Sequence, residues 1–81
     1  MPKPRVLNGA NVVRIFESFG FKITDQKGSH IKLRRTSNGT TRETLTVPNH
    51  KELDRGTVVS LYRQGTKYIP ESELREHFYT D

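Results

Sequence analysis

The spacing of apolar residues changes period at Gly20, and that change limits the folds open to the chain. Ahead of it Val12, Ile15, Phe16 and Phe19 recur at i, i+3, i+4 and i+7, with Asn11, Arg14, Glu17 and Ser18 between them, the stripe of an amphipathic helix. Asn8 suits the N-cap, and Gly20 suits the left-handed residue that closes a helix with Phe21 folding back on the last turn. The spacing predicts a helix over about residues 9 to 19. From Phe21 the period is two: Phe21 and Ile23 share a face, Asp25-Gln26-Lys27-Gly28 supplies turn residues, and Ile31 and Leu33 alternate with His30, Lys32 and Arg34. This pattern reads as a hairpin. A second turn, Thr36-Ser37-Asn38-Gly39, contains an Asn-Gly pair suited to positive φ and leads to Leu45 and Val47 alternating with Thr44 and Thr46. The third strand is expected to end at Pro48.

Helical spacing returns after Asn49 to Leu53, with Asp54 as N-cap, Val58, Leu61 and Tyr62 on one side, and Gly65 expected to stop the run. A short third helix follows Ile69-Pro70 and sets Leu74 and Phe78 on one side, its acidic first turn suited to the helix dipole. With 81 residues the chain has room for a single core, so residues 1–81 are read as one domain. The fold class is α+β: a three-stranded antiparallel sheet with helices on one face and polar side chains on the other. If Ile31 and Leu33 face the helices, His30, Lys32 and Arg34 share the open face.

Charge says what that face is suited to meet. Fourteen Lys and Arg against nine Asp and Glu leave a net charge of +5, a field attractive to polyanions and so to nucleic acid. The lack of cysteine removes disulfides, thiolate zinc sites and thiol catalysis, and suits a reducing compartment such as the cytoplasm. Met1-Pro2-Lys3-Pro4-Arg5 precedes no apolar run of leader length, and no stretch is long enough to span a bilayer. No membrane partner is therefore expected.

A histidine, with an ordinary pKa of about 6.5, can accept and donate a proton near neutrality. Removing a 2′-hydroxyl proton from RNA lets that oxygen attack the adjacent phosphorus without a metal, while cations offset the charge gathering on the phosphate. His30 with Lys27, Lys32, Arg34 and Arg35 nearby fits that chemistry, and the amides of Gly28 and Ser29 suit a phosphate oxygen. Lys27, Lys32 and His50 are the candidates for the acid. No two of His30, His50 and His77 have the spacing of a preformed zinc site, so no metal or other cofactor is expected. Ser29 and His30 are strand neighbours pointing to opposite faces, which argues against a serine nucleophile. These residues leave two readings open: a ribonuclease centred on His30, and a noncatalytic module gripping RNA by phosphate and 2′-hydroxyl contacts. A protein-interaction domain is the third.

Gly28-Ser29-His30, set between Phe19-Gly20-Phe21 and Val47-Pro48-Asn49-His50, resembles the HicA (YcfA-like) family of toxins. The likeness runs from Val12 to Gly65 and takes in Leu53-Asp54-Arg55-Gly56-Thr57 and Leu61-Tyr62-Arg63-Gln64-Gly65. It implies an α-β-β-β-α fold similar to double-stranded-RNA-binding domains, cleavage of mRNA, a catalytic histidine at His30, and neutralisation by a HicB-type antitoxin protein. DNA contact would arise only indirectly, through the antitoxin complex. Met1 to Arg5 and Thr66 to Asp81 exceed the minimal toxin, and the latter segment, with its four acidic residues, is expected to form a solvated terminal helix.

Overall fold

Asn8 and Asn11 start the first helix by a reciprocal exchange. The Asn11 amide donates to Asn8 Oδ1 (2.7 Å) and the Asn8 amide to Asn11 Oδ1 (3.0 Å), so two amides that the helix itself leaves unpaired are satisfied. The computed structural model describes residues 2–80; Met1 and Asp81, the outermost residues of the two extensions, lie outside the described residues. Among the described residues the order is β1 (Lys3–Pro4), α1 (Gly9–Ser18), β2 (Lys22–Lys27), β3 (His30–Ser37), β4 (Thr41–Pro48), α2 (Arg55–Gly65), α3 (Glu71–Phe78) and β5 (Tyr79–Thr80). The expected α-β-β-β-α arrangement is therefore present, with a third helix and a two-stranded ribbon added to it.

β3 is the central strand of an antiparallel sheet ordered β2-β3-β4. Its Ile31 and Leu33, with Leu45 and Val47 of β4, are buried under the helices, while His30, Lys32, Thr44 and Thr46 are exposed. The second hairpin turns at Asn38 (φ 53°) and Gly39 (φ 76°), as the Asn-Gly pair predicts. In the first hairpin, however, Asp25, Gln26 and Lys27 continue β2, and only Gly28 and Ser29 lie between Lys27 and its partner His30. Gly28, at φ 56°, supplies the left-handed residue that a two-residue hairpin needs. Ile23 lies opposite Leu33 on the inner side but is 50% exposed, because β2 is an edge strand reaching past the helices.

Phe16 of α1 is fully buried and gathers the core, its ring centroid 6.0 Å from Phe21 and 5.9 Å from Phe78. α2 ends at Gly65 as expected, but the glycine serves packing there, since an added Cβ would fall 2.7 Å from Leu74 Cδ2 and 2.9 Å from Phe16 Cε1. Its missing side chain lets α1 and α3 close on α2. One expectation changes: α3 is not a solvated appendage, since Leu74 and Phe78 are fully buried. A strap from residues 3 to 7 holds it: Lys3 pairs with Thr80 and Pro4 with Tyr79, and the Arg5 amide donates to the Phe78 carbonyl (2.8 Å).

Phe78→Ala is expected to lower the free energy of unfolding by about 3–5 kcal/mol, and Ile23→Ala by under about 0.5 kcal/mol, in urea titrations followed by circular dichroism. A small loss at Phe78 would contradict the packing of α3 into the core.

Candidate active site

A bulge in β2 decides which side chains reach the open face. Ile23 pairs with Leu33, but the next pair is Asp25 with Lys32, so Thr24 is an extra residue. Strict alternation from Ile23 would send Asp25 and Lys27 towards the helices. The extra residue reverses that parity, and Lys27 stands directly opposite His30, with Cβ atoms about 5 Å apart in such pairs. The hairpin turn next to them offers further donors. Among the described residues, the Gly28 and Ser29 amides have no acceptor within the chain, leaving both free for an anion.

The same face carries Lys32 and Arg34 on β3. Arg34 is only partly exposed, and its Nε is buried without a hydrogen-bond partner. Lys22, opposite Arg34, and Arg42, opposite Thr36, complete a set of cations in which, among the described residues, Asp25 is the one carboxylate. The sequence reading missed Lys22 and Arg42. Arg42 was legible from its even spacing with Thr44 and Thr46 and Lys22 from its place between Phe21 and Ile23, and the register adds only that Lys22 stands opposite Arg34.

Arg35 belongs elsewhere. The sequence reading set it near His30, yet it follows Ile31 and Leu33 onto the inner side. There its Nε donates to Glu43 Oε1 (2.7 Å), Nη1 to the Phe19 carbonyl (2.9 Å) and Nη2 to the Tyr68 carbonyl (2.8 Å). Its guanidinium lies 4.8 Å from the centre of the Phe21 ring. With every direction of the fork engaged, it is a structural cation.

His50 sits beyond the end of β4, where the chain turns sharply: the His50 amide donates to Pro48 O (3.0 Å) and its carbonyl accepts from the Gly9 amide (2.9 Å). Gly9 makes this corner possible, since a Cβ there would collide with Pro48 O. In register it is Pro48, not His50, that faces His30. His50 instead neighbours Asp54, the N-cap of α2. The Thr57 amide and hydroxyl hold the Asp54 carboxyl below its ordinary range, with a smaller contribution from His50. The stabilisation from this cap is thus complete above the ordinary carboxylate pKa and fades as pH falls through the lowered value. His77 packs edge-on against Phe19 at 5.4 Å, a role in packing. Among the described residues, no three of His, Cys, Asp and Glu gather as a metal site would require, and no helix is long and apolar enough to cross a membrane.

A family model described as the HicA toxin of bacterial toxin-antitoxin systems matches residues 9–65, more than half of the chain. No curated protein and no solved structure matches it.

Arg35→Ala is expected to cost about 2–3 kcal/mol of folding stability, against less than about 0.5 kcal/mol for Lys32→Ala, both from urea titration. Equal losses would mean that the two cations are not divided between the faces as described.

Proposed function

The chain belongs to the HicA family of toxins from bacterial toxin-antitoxin systems, and from that premise we propose that it is an endoribonuclease that cleaves mRNA by metal-independent acid-base chemistry at His30. What supports the reading is the pairing of Lys27 with His30 beside two free turn amides, on a face of nearly uniform positive charge. Neutral His30 takes the proton of a 2′-hydroxyl, whose oxygen then bonds to the adjacent phosphorus. The bond from phosphorus to the 5′-oxygen breaks, and Lys27, the one of the three candidate acids that lies directly opposite His30, gives that oxygen a proton. The products are a 2′,3′-cyclic phosphate and a 5′-hydroxyl. Charge building on the nonbridging oxygens is met by the Gly28 and Ser29 amides and by Lys32, while Arg34, farther along β3, holds the neighbouring RNA backbone.

In-line attack requires the 2′-oxygen to stand opposite the leaving oxygen, an alignment that A-form duplex does not provide, so single-stranded mRNA is the substrate. The restraining partner is a HicB-type antitoxin whose acidic surface covers the basic face. Both act in the cytoplasm, and DNA is reached only through the antitoxin.

In excess chelator the parent chain is expected to cut single-stranded RNA and leave 2′,3′-cyclic phosphate ends, and His30→Ala to lose at least about 100-fold in rate. RNA that stays intact while binding the folded parent would establish a passive binding module instead. Lys27→Ala is expected to lose about 100-fold on RNA but far less on a nucleoside 3′-nitrophenyl phosphate, whose leaving group needs no proton. Equal losses on both substrates would remove Lys27 as the acid.

A further inference from the structure

The open face extends well past the residues used for bond cleavage. Lys22 stands opposite Arg34, four residues along β3 from His30, and Arg42 stands opposite Thr36, six residues along. At about 3.3 Å per residue these positions are roughly 13 and 20 Å from His30, too far to touch the scissile phosphate. We infer that Lys22 and Arg42, with Arg34 between them, form a track for the RNA backbone on one side of the cut, so that several consecutive phosphates are held along β3.

Two independent observations point to an anion there. Like charges directly opposite each other in a sheet destabilise it, and Lys22 faces Arg34 with no carboxylate between them. Of the cations on the open face, among the described residues only Lys32 has an acidic neighbour in register, Asp25. Arg34 is partly exposed, and among the described residues its guanidinium pairs with no carboxylate, which leaves its charge for an anion from solution. A row of phosphates answers both, because each phosphate lies between cations and the guanidinium fork takes phosphate oxygens in pairs. Thr36, Thr44 and Thr46 are the polar, uncharged surface between the cations. The sheet between them offers no aromatic ring for stacking, so the hold is on the backbone and tolerant of base sequence.

The inference rests on the ribonuclease reading but is tested by binding. A labelled single-stranded RNA is titrated with His30→Ala protein over a range of salt concentrations, and the same is done with Lys22→Gln and Arg42→Gln added together. Each lost phosphate contact flattens the plot of log affinity against log salt by about 0.7, so the pair is expected to flatten it by about 1.4. Arg14→Gln with Arg63→Gln removes the same charge from exposed positions on α1 and α2 and is expected to leave the slope unchanged. A slope unaffected by Lys22 and Arg42, or flattened equally by the helix pair, overturns the track. It is also overturned if the sheet variants lose affinity only for an acidic protein partner. Cleavage by the parent chain, measured alongside, separates this outcome from failure of the ribonuclease reading.

Discussion

The guanidinium of Arg35 joins three parts of the molecule that hydrophobic contact alone would leave free to slide. Its three hydrogen bonds reach Glu43 on β4, the carbonyl of Phe19 at the end of α1, and the carbonyl of Tyr68 between α2 and α3. Each of these groups lies against the apolar core, where an unpaired acceptor would be expensive. Arg35 also sets the facing of β3. With its side chain committed to the inner side after Ile31 and Leu33, alternation places Arg34, Lys32 and His30 on the other side. Gly20 belongs to the same arrangement: at φ 96° it ends α1, and an added Cβ would stand 3.4 Å from Arg35 Cδ.

Much of this was legible in the spacing of residues. The change of period at Gly20, the Asn-Gly turn, the caps at Asn8 and Asp54 and the sharing of one face by His30, Lys32 and Arg34 all rest on local rules of two or four residues. What escaped the sequence depends on contacts between distant segments. A bulge at Thr24 leaves no mark in a six-residue strand whose every residue is exposed, yet it alone brings Lys27 across from His30. The role of Gly65 is set by Leu74 and Phe16, and that of Gly9 by Pro48. A glycine that makes room looks the same in sequence as one that ends a helix. Arg35 was misplaced for a related reason: a cation among cations reads as surface until its partners in three other elements are known.

The family match ends at Gly65, but the core does not. Ile69, Leu74 and Phe78 are almost fully buried, and Tyr62 of α2 packs its ring 5.6 Å from Phe78 and 5.0 Å from Tyr79. In this chain the terminal segment therefore covers apolar surface on α1 and α2 that would otherwise meet water. A chain of 81 residues has little interior in which to bury apolar surface, so three further large side chains in the core are a substantial addition. The pairing of β1 with β5 fixes that segment without touching the sheet, which leaves the whole of the basic face uncovered.

That freedom has a physical cost which links stability to function. The core holds the inner side of the sheet in a single register, and the same register sets Lys22 against Arg34 on the outer side. The fold cannot relieve this repulsion by slipping a strand, because a shift of one residue would bring Ile31, Leu33, Leu45 and Val47 into water. The repulsion is relieved only by bringing negative charge to the face. Any polyanion that does so binds the folded chain more tightly than the unfolded one and raises its stability in proportion. Substrate and acidic antitoxin, on the function proposed here, would draw on the same uncompensated charge. Occupation by one then excludes the other without any change of shape, and inhibition needs no separate regulatory site.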